Sequence, residues 1–184
     1  DSGGAGYHRG GNALCTTFRF LETGEVSIHD DRWLTYPWGV NGGHPGARST
    51  KTLVRSNGDT ELLQSKCDRI KVEDGDILYH VTWGGGGWGD PFTREADRVA
   101  FDVDAGLVSR EGAKKNYGVV LSKDCSVNKS ATTQLRKRMA KARGKTKLFD
   151  KGFTSISELK QRCKEETGLE PPATPRFQKW MLEA

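Results

Sequence analysis

Runs of glycine are the part of this sequence with the clearest potential for chemistry. Consecutive backbone N–H groups in glycine turns form concave sites for anions, because no side chain blocks the approach. A loop that binds a substrate or an anion is therefore predicted at seven residues, which are Gly42, Gly43, Gly84, Gly85, Gly86, Gly87 and Trp88. The alternative is that these glycines only let segments of the chain cross tightly.

Two polar side chains next to these glycines are the candidates for catalysis. His44 stands between Gly43 and Pro45, which favours it as a general base in a bend. Asp90 follows the longest glycine run and is placed to position a cation or an amide. Each has a simpler alternative, since a lone histidine is commonly a surface residue and Asp-Pro before a helix is commonly a turn and cap. The sequence leaves both interpretations open.

His29 and Asp31 are weak candidates for metal ligands. Imidazole and carboxylate groups suit first-row divalent ions, and alternate residues of a strand lie on the same face. Two ligands do not make a metal site, so we expect none in this chain. The sequence also lacks a G-x-x-x-x-G-K-[ST] motif and a G-x-G-x-x-G motif opening a helix, so no nucleotide site is expected within it.

The elements that must position these residues form an α+β fold in this prediction. Its N-terminal half consists mainly of antiparallel β hairpins, each with two β-rich segments around a turn that contains glycine. The three predicted hairpins join 13–21 to 25–29, 52–55 to 60–63, and 67–72 to 77–83.

Helices are predicted after Pro91, where the hydrophobic period changes. Thr93 is expected to cap a helix that runs to about Asp104, and Ser109 is expected to open a second helix that ends at Gly118.

The remaining segments predicted from the sequence are a short strand at 119–121, helices at 129–143 and 157–167, and an extended tail with Pro171, Pro172 and Pro175.

Positive charge is concentrated in the C-terminal part of the chain. Residues 129–164 contain 12 basic and 2 acidic side chains, whereas the whole chain of 184 residues has a net charge of only +5. We therefore predict a glycine-rich portion at 1–128 and a basic helical tail at 129–184 that docks on a larger complex. Few aromatic residues accompany the basic ones and no nucleic-acid motif is present, so nucleic-acid binding is not expected.

The composition favours a cytoplasmic protein that depends on a partner. Hydrophobic residues make up 34% of the chain, which is low for a globular domain. No apolar run is long enough for a membrane helix, so no membrane association is expected. The four cysteines are far apart and form no C-x-x-C pair, which indicates reduced thiols.

The order of these motifs resembles the C-terminal region of the hydantoinase B and 5-oxoprolinase family over roughly residues 1 to 143. The matching elements are Asp1-Ser2-Gly3-Gly4-Ala5-Gly6, Arg9-Gly10-Gly11, Asp31-Arg32, Pro37-Trp38-Gly39, Gly42-Gly43, Pro45-Gly46, Gly75-Asp76, the run 84–91, Asp102-Val103, Gly106-Leu107-Val108-Ser109 and Tyr117-Gly118-Val119-Val120-Leu121.

This resemblance implies the C-terminal part of an ATP-dependent hydrolase that opens cyclic amides of the hydantoin, 5-oxoproline or lactam type. It implies three partners, namely an upstream portion of the same subunit, a hydantoinase A-like subunit that carries ATP, and a small cyclic amide. It also implies a divalent metal, Zn, Mn or Mg, in the upstream portion. Two alternatives stay open, an ATP-dependent ketone carboxylase of the acetone or acetophenone type and a non-catalytic assembly module.

Overall fold

The computed structural model describes residues 1–173 and has the predicted α+β fold, with antiparallel strands in the N-terminal half and helices after them. The eight strands are β1 Cys15–Arg19, β2 Gly24–His29, β3 Gly39–Val40, β4 Thr50–Val54, β5 Thr60–Leu62, β6 Lys66–Val72, β7 Ile77–Val81 and β8 Phe149–Asp150. A 3₁₀ helix at Pro91–Thr93 precedes four α-helices, α1 Ala96–Asp104, α2 Arg110–Tyr117, α3 Lys129–Arg143 and α4 Ile156–Thr167.

Only one of the three predicted hairpins forms as such. β4 and β5 pair through the turn at Asn57-Gly58, where Gly58 has a φ of 93°. The other two predictions were wrong about the partners, because β1 pairs with β7 and β2 pairs with β6. The turns at 22–24 and 73–76 therefore connect strands of different sheets, and the long-range pairs bury apolar faces that short hairpins would leave exposed.

The described strands form three sheets, and two of them share an apolar core. The larger sheet has the order β1-β7-β4-β5, and the smaller one consists of β2 and β6. The buried residues between them come from both sheets and the loops beside them, and they are Ile28, Leu53, Leu63, Val72 and Leu78.

A second core lies under the first two helices. Its buried residues are Ala5, Val99, Val108, Ala113, Tyr117 and Val119. α2 has the predicted boundaries, since the Ser109 hydroxyl accepts a hydrogen bond from the Gly112 N–H and Gly118 is left-handed with φ 63°.

The prediction for α1 was wrong at its start, because Glu95 rather than Thr93 is the N-cap residue of this helix. Asp90 begins the 3₁₀ helix, and the extended backbone of Arg94 and Glu95 delays the α-helix to Ala96.

The C-terminal helices have the predicted positions, with Asn128 and Ser155 as N-caps. No strand forms at 119–121, where only an isolated bridge joins Leu121 to Val127. Pro171 and Pro172 lie outside any helix or strand, and Pro175 lies outside the described residues. Among residues 1–173, no helix is both long and apolar enough to cross a membrane.

The segment after α3 returns to the N-terminal half. β8 pairs with β3, and the Arg48 guanidinium of the N-terminal half donates to the Glu166 carboxylate of α4 at 2.6 Å. This return places side chains from the C-terminal part next to the glycine bends.

Candidate active site at the glycine seam

Three glycine bends pack against one another through their main chains, and we call this packing the glycine seam. The bends are residues 2–11, 38–47 and 84–89. A β-carbon at Gly86 would lie 1.7 Å from the carbonyl oxygen of Trp38, and one at Gly84 would lie 1.8 Å from that of Ser2. Side chains cannot occupy such positions, so glycine is required here by close approach.

The run 84–87 is fixed by hydrogen bonds to the other two bends. The N–H of Gly84 donates to Ala47 at 3.1 Å, that of Gly85 to Gly11 at 2.8 Å, and that of Gly87 to His44 at 2.9 Å, each to the carbonyl oxygen. These three N–H groups hold the segments together. In the described part of the chain, positive φ angles occur beside the run at Gly89 and Gly42, but not within it.

His44 lies at a cleft where two bends of the seam meet the C-terminal segment. The cleft has a volume of about 440 Å³ and is lined by the 3–5 backbone, His44 and Pro45, together with side chains from 147–162. The backbone of His44 is fixed on both sides, because its N–H donates to the Ala5 carbonyl at 2.7 Å and its carbonyl accepts from Gly87. The seam therefore sets the position of this imidazole.

The surroundings of His44 favour the neutral imidazole. Burial lowers its pKa below the usual 6.5, Asp150 opposes that shift, and Arg143 adds to it. Within residues 1–173 the ring has no hydrogen-bond partner. At neutral pH a ring nitrogen is thus free to accept a proton, which is what a general base requires.

Charged groups on the far side of the cleft were not identified from the sequence. They are Lys147, Asp150, Glu158 and Arg162. The Asp150 carboxylate accepts the Gly152 N–H at 3.1 Å, and hydrogen bonds from Thr154 lower the pKa of Glu158. These residues lie more than 100 positions after His44, and the β3–β8 pairing together with the Arg48–Glu166 contact brings their segment to the cleft.

Asp90 is committed to two contacts. Its carboxylate accepts the Phe92 N–H at 2.9 Å and a bidentate pair of hydrogen bonds from Arg143, both at 2.7 Å. The hydrogen bond from Arg143 lowers the pKa of Asp90, although burial opposes it. Asp90 therefore caps the 3₁₀ helix and anchors α3.

Arg143 connects the two candidate catalytic residues. A smaller cavity of about 200 Å³ is lined by Gly42, Gly43, His44 and Arg143, together with 145–147 and Asp150. His44 thus borders both cavities, and Arg143, which lines the smaller one, binds Asp90. Trp88 lies at the outer side of the seam, 49% exposed, with its ring centroid 5.5 Å from that of His8.

His29 and Asp31 do not form a metal site. The His29 Nε2 contacts the Asp68 carboxylate at 3.0 Å, whereas Asp31 faces Lys66 at 3.4 Å. The described residues contain no group of three or more His, Cys, Asp or Glu side chains able to hold a metal ion. The side chains present therefore do not fit a divalent ion.

A buried polar cluster at the end of β4 also escaped the sequence analysis. The ammonium of Lys51 is completely buried and pairs with Asp30, whose carboxylate also accepts the Ser49 hydroxyl. Lysine is rarely buried unless it is paired, so only the Asp30 loop makes this arrangement stable. The alternation of Ser49 and Lys51 on one strand face is the sequence signal for it.

The sequence of this chain is similar to those of known proteins. The model of the hydantoinase B/oxoprolinase family matches residues 1–91. Residues 1–91 belong to the hydantoinase B/oxoprolinase family. The putative B subunit of a D-/L-hydantoinase from Pseudomonas sp. is 31% identical over 134 residues, which are 72% of this chain and 22% of that protein.

Two further proteins are similar to most of this chain. The acetone carboxylase alpha subunit of Xanthobacter autotrophicus is 29% identical, over 77% of this chain and 23% of its own length. The crystal structure of the ATP-dependent caprolactamase from Pseudomonas jessenii superposes with a TM-score of 0.59 at 29% identity, over 74% of this chain and 24% of that one. This chain spans about a quarter of the length of these relatives.

Proposed function

We propose that this chain is the C-terminal part of an ATP-dependent hydrolase that opens cyclic amides of the hydantoin, 5-oxoproline or lactam type. The proposal rests on one structural observation, the partly buried His44 that the family-matched glycine seam holds at a cleft, where burial lowers the pKa of the imidazole. Relatives named as the B subunit of a hydantoinase and as an ATP-dependent caprolactamase support this substrate class.

The proposed chemistry divides the work between this chain and its partners. ATP on a hydantoinase A-like subunit phosphorylates the amide oxygen and leaves as ADP. Water then attacks the activated carbon while His44 accepts its proton, and the ring C–N bond breaks as that proton passes to the leaving nitrogen. The resulting acyl phosphate is hydrolysed by a second water, which releases phosphate. Asp90 acts indirectly, because it positions Arg143 beside His44. The bends at 42–43 and 84–87 shape the site. A divalent metal, if the reaction uses one, is held by the upstream portion, since the residues described here do not fit one.

The partners are the upstream portion of the same subunit and the A-type subunit, within the cytoplasm. The proposed division places the glycine-rich portion at 1–128 and a basic helical tail at 129–184. Support comes from α3, where Arg136 and Arg143 face inward to Tyr117 and Asp90, whereas Lys137 and Arg138 are exposed. The four cysteines are unpaired, as expected for reduced thiols.

The second candidate is an ATP-dependent ketone carboxylase, which the acetone carboxylase relative favours. The two enzymes differ in their need for bicarbonate, because only the carboxylase incorporates it. The third candidate, a non-catalytic assembly module, forms the complex without turnover.

Turnover by the assembled complex tests these candidates. The B-type subunit that contains this chain is purified with its A-type partner and assayed for ATP-dependent ring opening of hydantoin, 5-oxoproline and caprolactam, and for carboxylation of acetone. Ring opening without bicarbonate is expected. His44→Gln should lower kcat by about 10²-fold or more, as removal of a general base does. The control is His29→Gln, which changes an exposed histidine outside the cleft. Equal rates for the two variants would remove His44 from the mechanism.

A further inference from the structure

The strand β1 forms one edge of the larger sheet and is unpaired on its outer side among the described residues. The residues at its two ends show which way its backbone groups point. The Leu14 carbonyl accepts the Thr82 N–H, and the Phe20 N–H donates to Asp76, both at 2.9 Å. Because antiparallel strands alternate, Cys15, Thr17 and Arg19 direct their N–H and C=O groups away from β7. This edge can accept another strand.

An apolar groove lies beside that edge, between β1 and β7 on one side and β2 on the other. Its volume is about 490 Å³. The apolar residues that line it are Phe18, Phe20, Val26, Ile28, Leu78 and Trp83. Phe18 pairs with Leu78 and so shares the inner face of the sheet, yet 47% of Phe18 remains exposed. Nothing in the described part of the chain covers it.

A polar atom in the same groove also lacks a partner. The Nε2 atom of His80 is buried and has no hydrogen bond within residues 1–173. His80 lines the groove beside Asp30 and Thr82. An unsatisfied buried nitrogen costs free energy, so a polar group that reached this atom would stabilise the site.

The opposite edge of the same sheet is shorter. β5 contains only Thr60, Glu61 and Leu62, and it is exposed along its length. Short, charged edges of this kind resist strand addition. β5 is therefore less suited than β1 to accept a further strand.

We propose that an extended segment from the rest of a B-type subunit adds to β1 as a new antiparallel or parallel strand. Its apolar side chains fill the groove over Phe18 and a polar group reaches His80. This inference rests on the proposed function for the existence of that subunit. The rest of such a subunit is long enough to supply this strand, since this chain covers only 22–24% of the B-type and caprolactamase relatives. The occupant is thus part of the remaining three quarters.

Amide hydrogen exchange tests this proposal without measuring activity. The 184-residue chain and the whole B-type subunit are compared by mass spectrometry under the same conditions. Exchange over 15–19 should slow by at least about tenfold in the whole subunit, as hydrogen bonding in a stable sheet requires. Exchange over Thr60–Leu62, the other edge, should stay the same. Equal exchange over 15–19 in both samples would overturn the proposal and leave the hydrolase assignment untouched.

A pair of variants keeps the test valid if the chain alone does not stay folded. In the whole subunit, Phe18→Glu places a charge in the groove, whereas Phe101→Glu changes a residue that is 68% exposed on α1. The first should speed exchange at 15–19 and the second should not. Protection of 15–19 in the chain alone that grows with its concentration would show a second copy as the occupant, which contradicts the proposal.

Discussion

The two-sheet core and the glycine seam are stabilised in opposite ways. In the core, side chains such as Leu53 and Val72 fill the space between two sheets, with 0% and 1% of their surfaces exposed. In the seam, main chains meet directly, and a β-carbon at most of the glycines would overlap a neighbouring carbonyl group. The core therefore tolerates changes of shape among apolar residues, whereas the seam tolerates almost no added atom. The candidate active site lies at the seam, where hydrogen bonds hold the backbone of His44 through both its N–H and its carbonyl group.

The largest expected effect is that of adding atoms inside the seam. Gly86→Val places a β-carbon 1.7 Å from the Trp38 carbonyl oxygen, so two bends must separate. We expect the free energy of unfolding to fall by about 3 kcal/mol or more, with little folded protein recovered. Chemical denaturation followed by circular dichroism measures it. The control is Gly11→Ala, where no atom lies within 4 Å of the added carbon. Similar stability of the two variants would show that the bends do not pack as described.

Removing atoms from the core should have a smaller effect. Leu53→Ala leaves a cavity at a fully buried position, and the free energy of unfolding should fall by about 2–4 kcal/mol. Denaturant titration measures this loss, and Leu21→Ala, at a residue 74% exposed, is the control. The comparison predicts that the cleft survives, so the NMR chemical shifts of His44 should be unchanged in Leu53→Ala. Altered shifts would show that the core and the seam are coupled.

A smaller loss is expected where α3 is tied to the end of the glycine run. Arg143→Met removes the bidentate contact with Asp90, and about 1 kcal/mol of stability should be lost because both groups are partly exposed. The pKa of Asp90 should rise towards its ordinary value, since the hydrogen bond from Arg143 is the largest cause of its depression. NMR titration of the carboxyl carbon measures the change. Lys141→Met, on the exposed part of the same turn, should leave that pKa unaltered.

The smallest expected effect is the pH dependence that His44 gives to stability. Its pKa is lowered on folding, so the unfolded chain binds this proton more tightly. Stability from this group is complete above pH 6.5 and is lost as the pH falls from 6.5 through the folded-state pKa. The total loss should stay below about 1 kcal/mol, and His44→Gln should abolish it. Thermal unfolding between about pH 5 and 8 measures it, with His29→Gln as control. An unchanged slope in His44→Gln would place the imidazole in solvent.

Local signals in the sequence predicted much of this structure. Ser109, Gly118 and Gly168 mark helix ends because capping depends on a few adjacent residues. Asn57-Gly58 marks the one true hairpin for the same reason. The predicted start of α1 was too early, because a 3₁₀ helix capped by Asp90 comes first and α1 begins only after it.

Long-range features could not be predicted in the same way. The turns at 22–24 and 73–76 look like hairpin turns, and nothing near them specifies that β1 pairs with β7. The burial of Lys51 depends on Asp30, 21 positions earlier. The far side of the cleft depends on Asp150 and Arg162, which the β3–β8 pairing brings to His44. The glycines were recognised, but which main chains they approach is set only by the complete fold.

The order of the bends along the chain has a consequence for synthesis. Residues 2–11 are synthesised before 84–89, against which they pack, and β1 is synthesised before its partner β7. Contacts so distant in sequence form slowly, because a long loop must be closed before they are made. The bend at 2–11 therefore remains unprotected until residues 84–89 have been translated, and the cleft around His44 is completed only when the segment 147–162 has emerged.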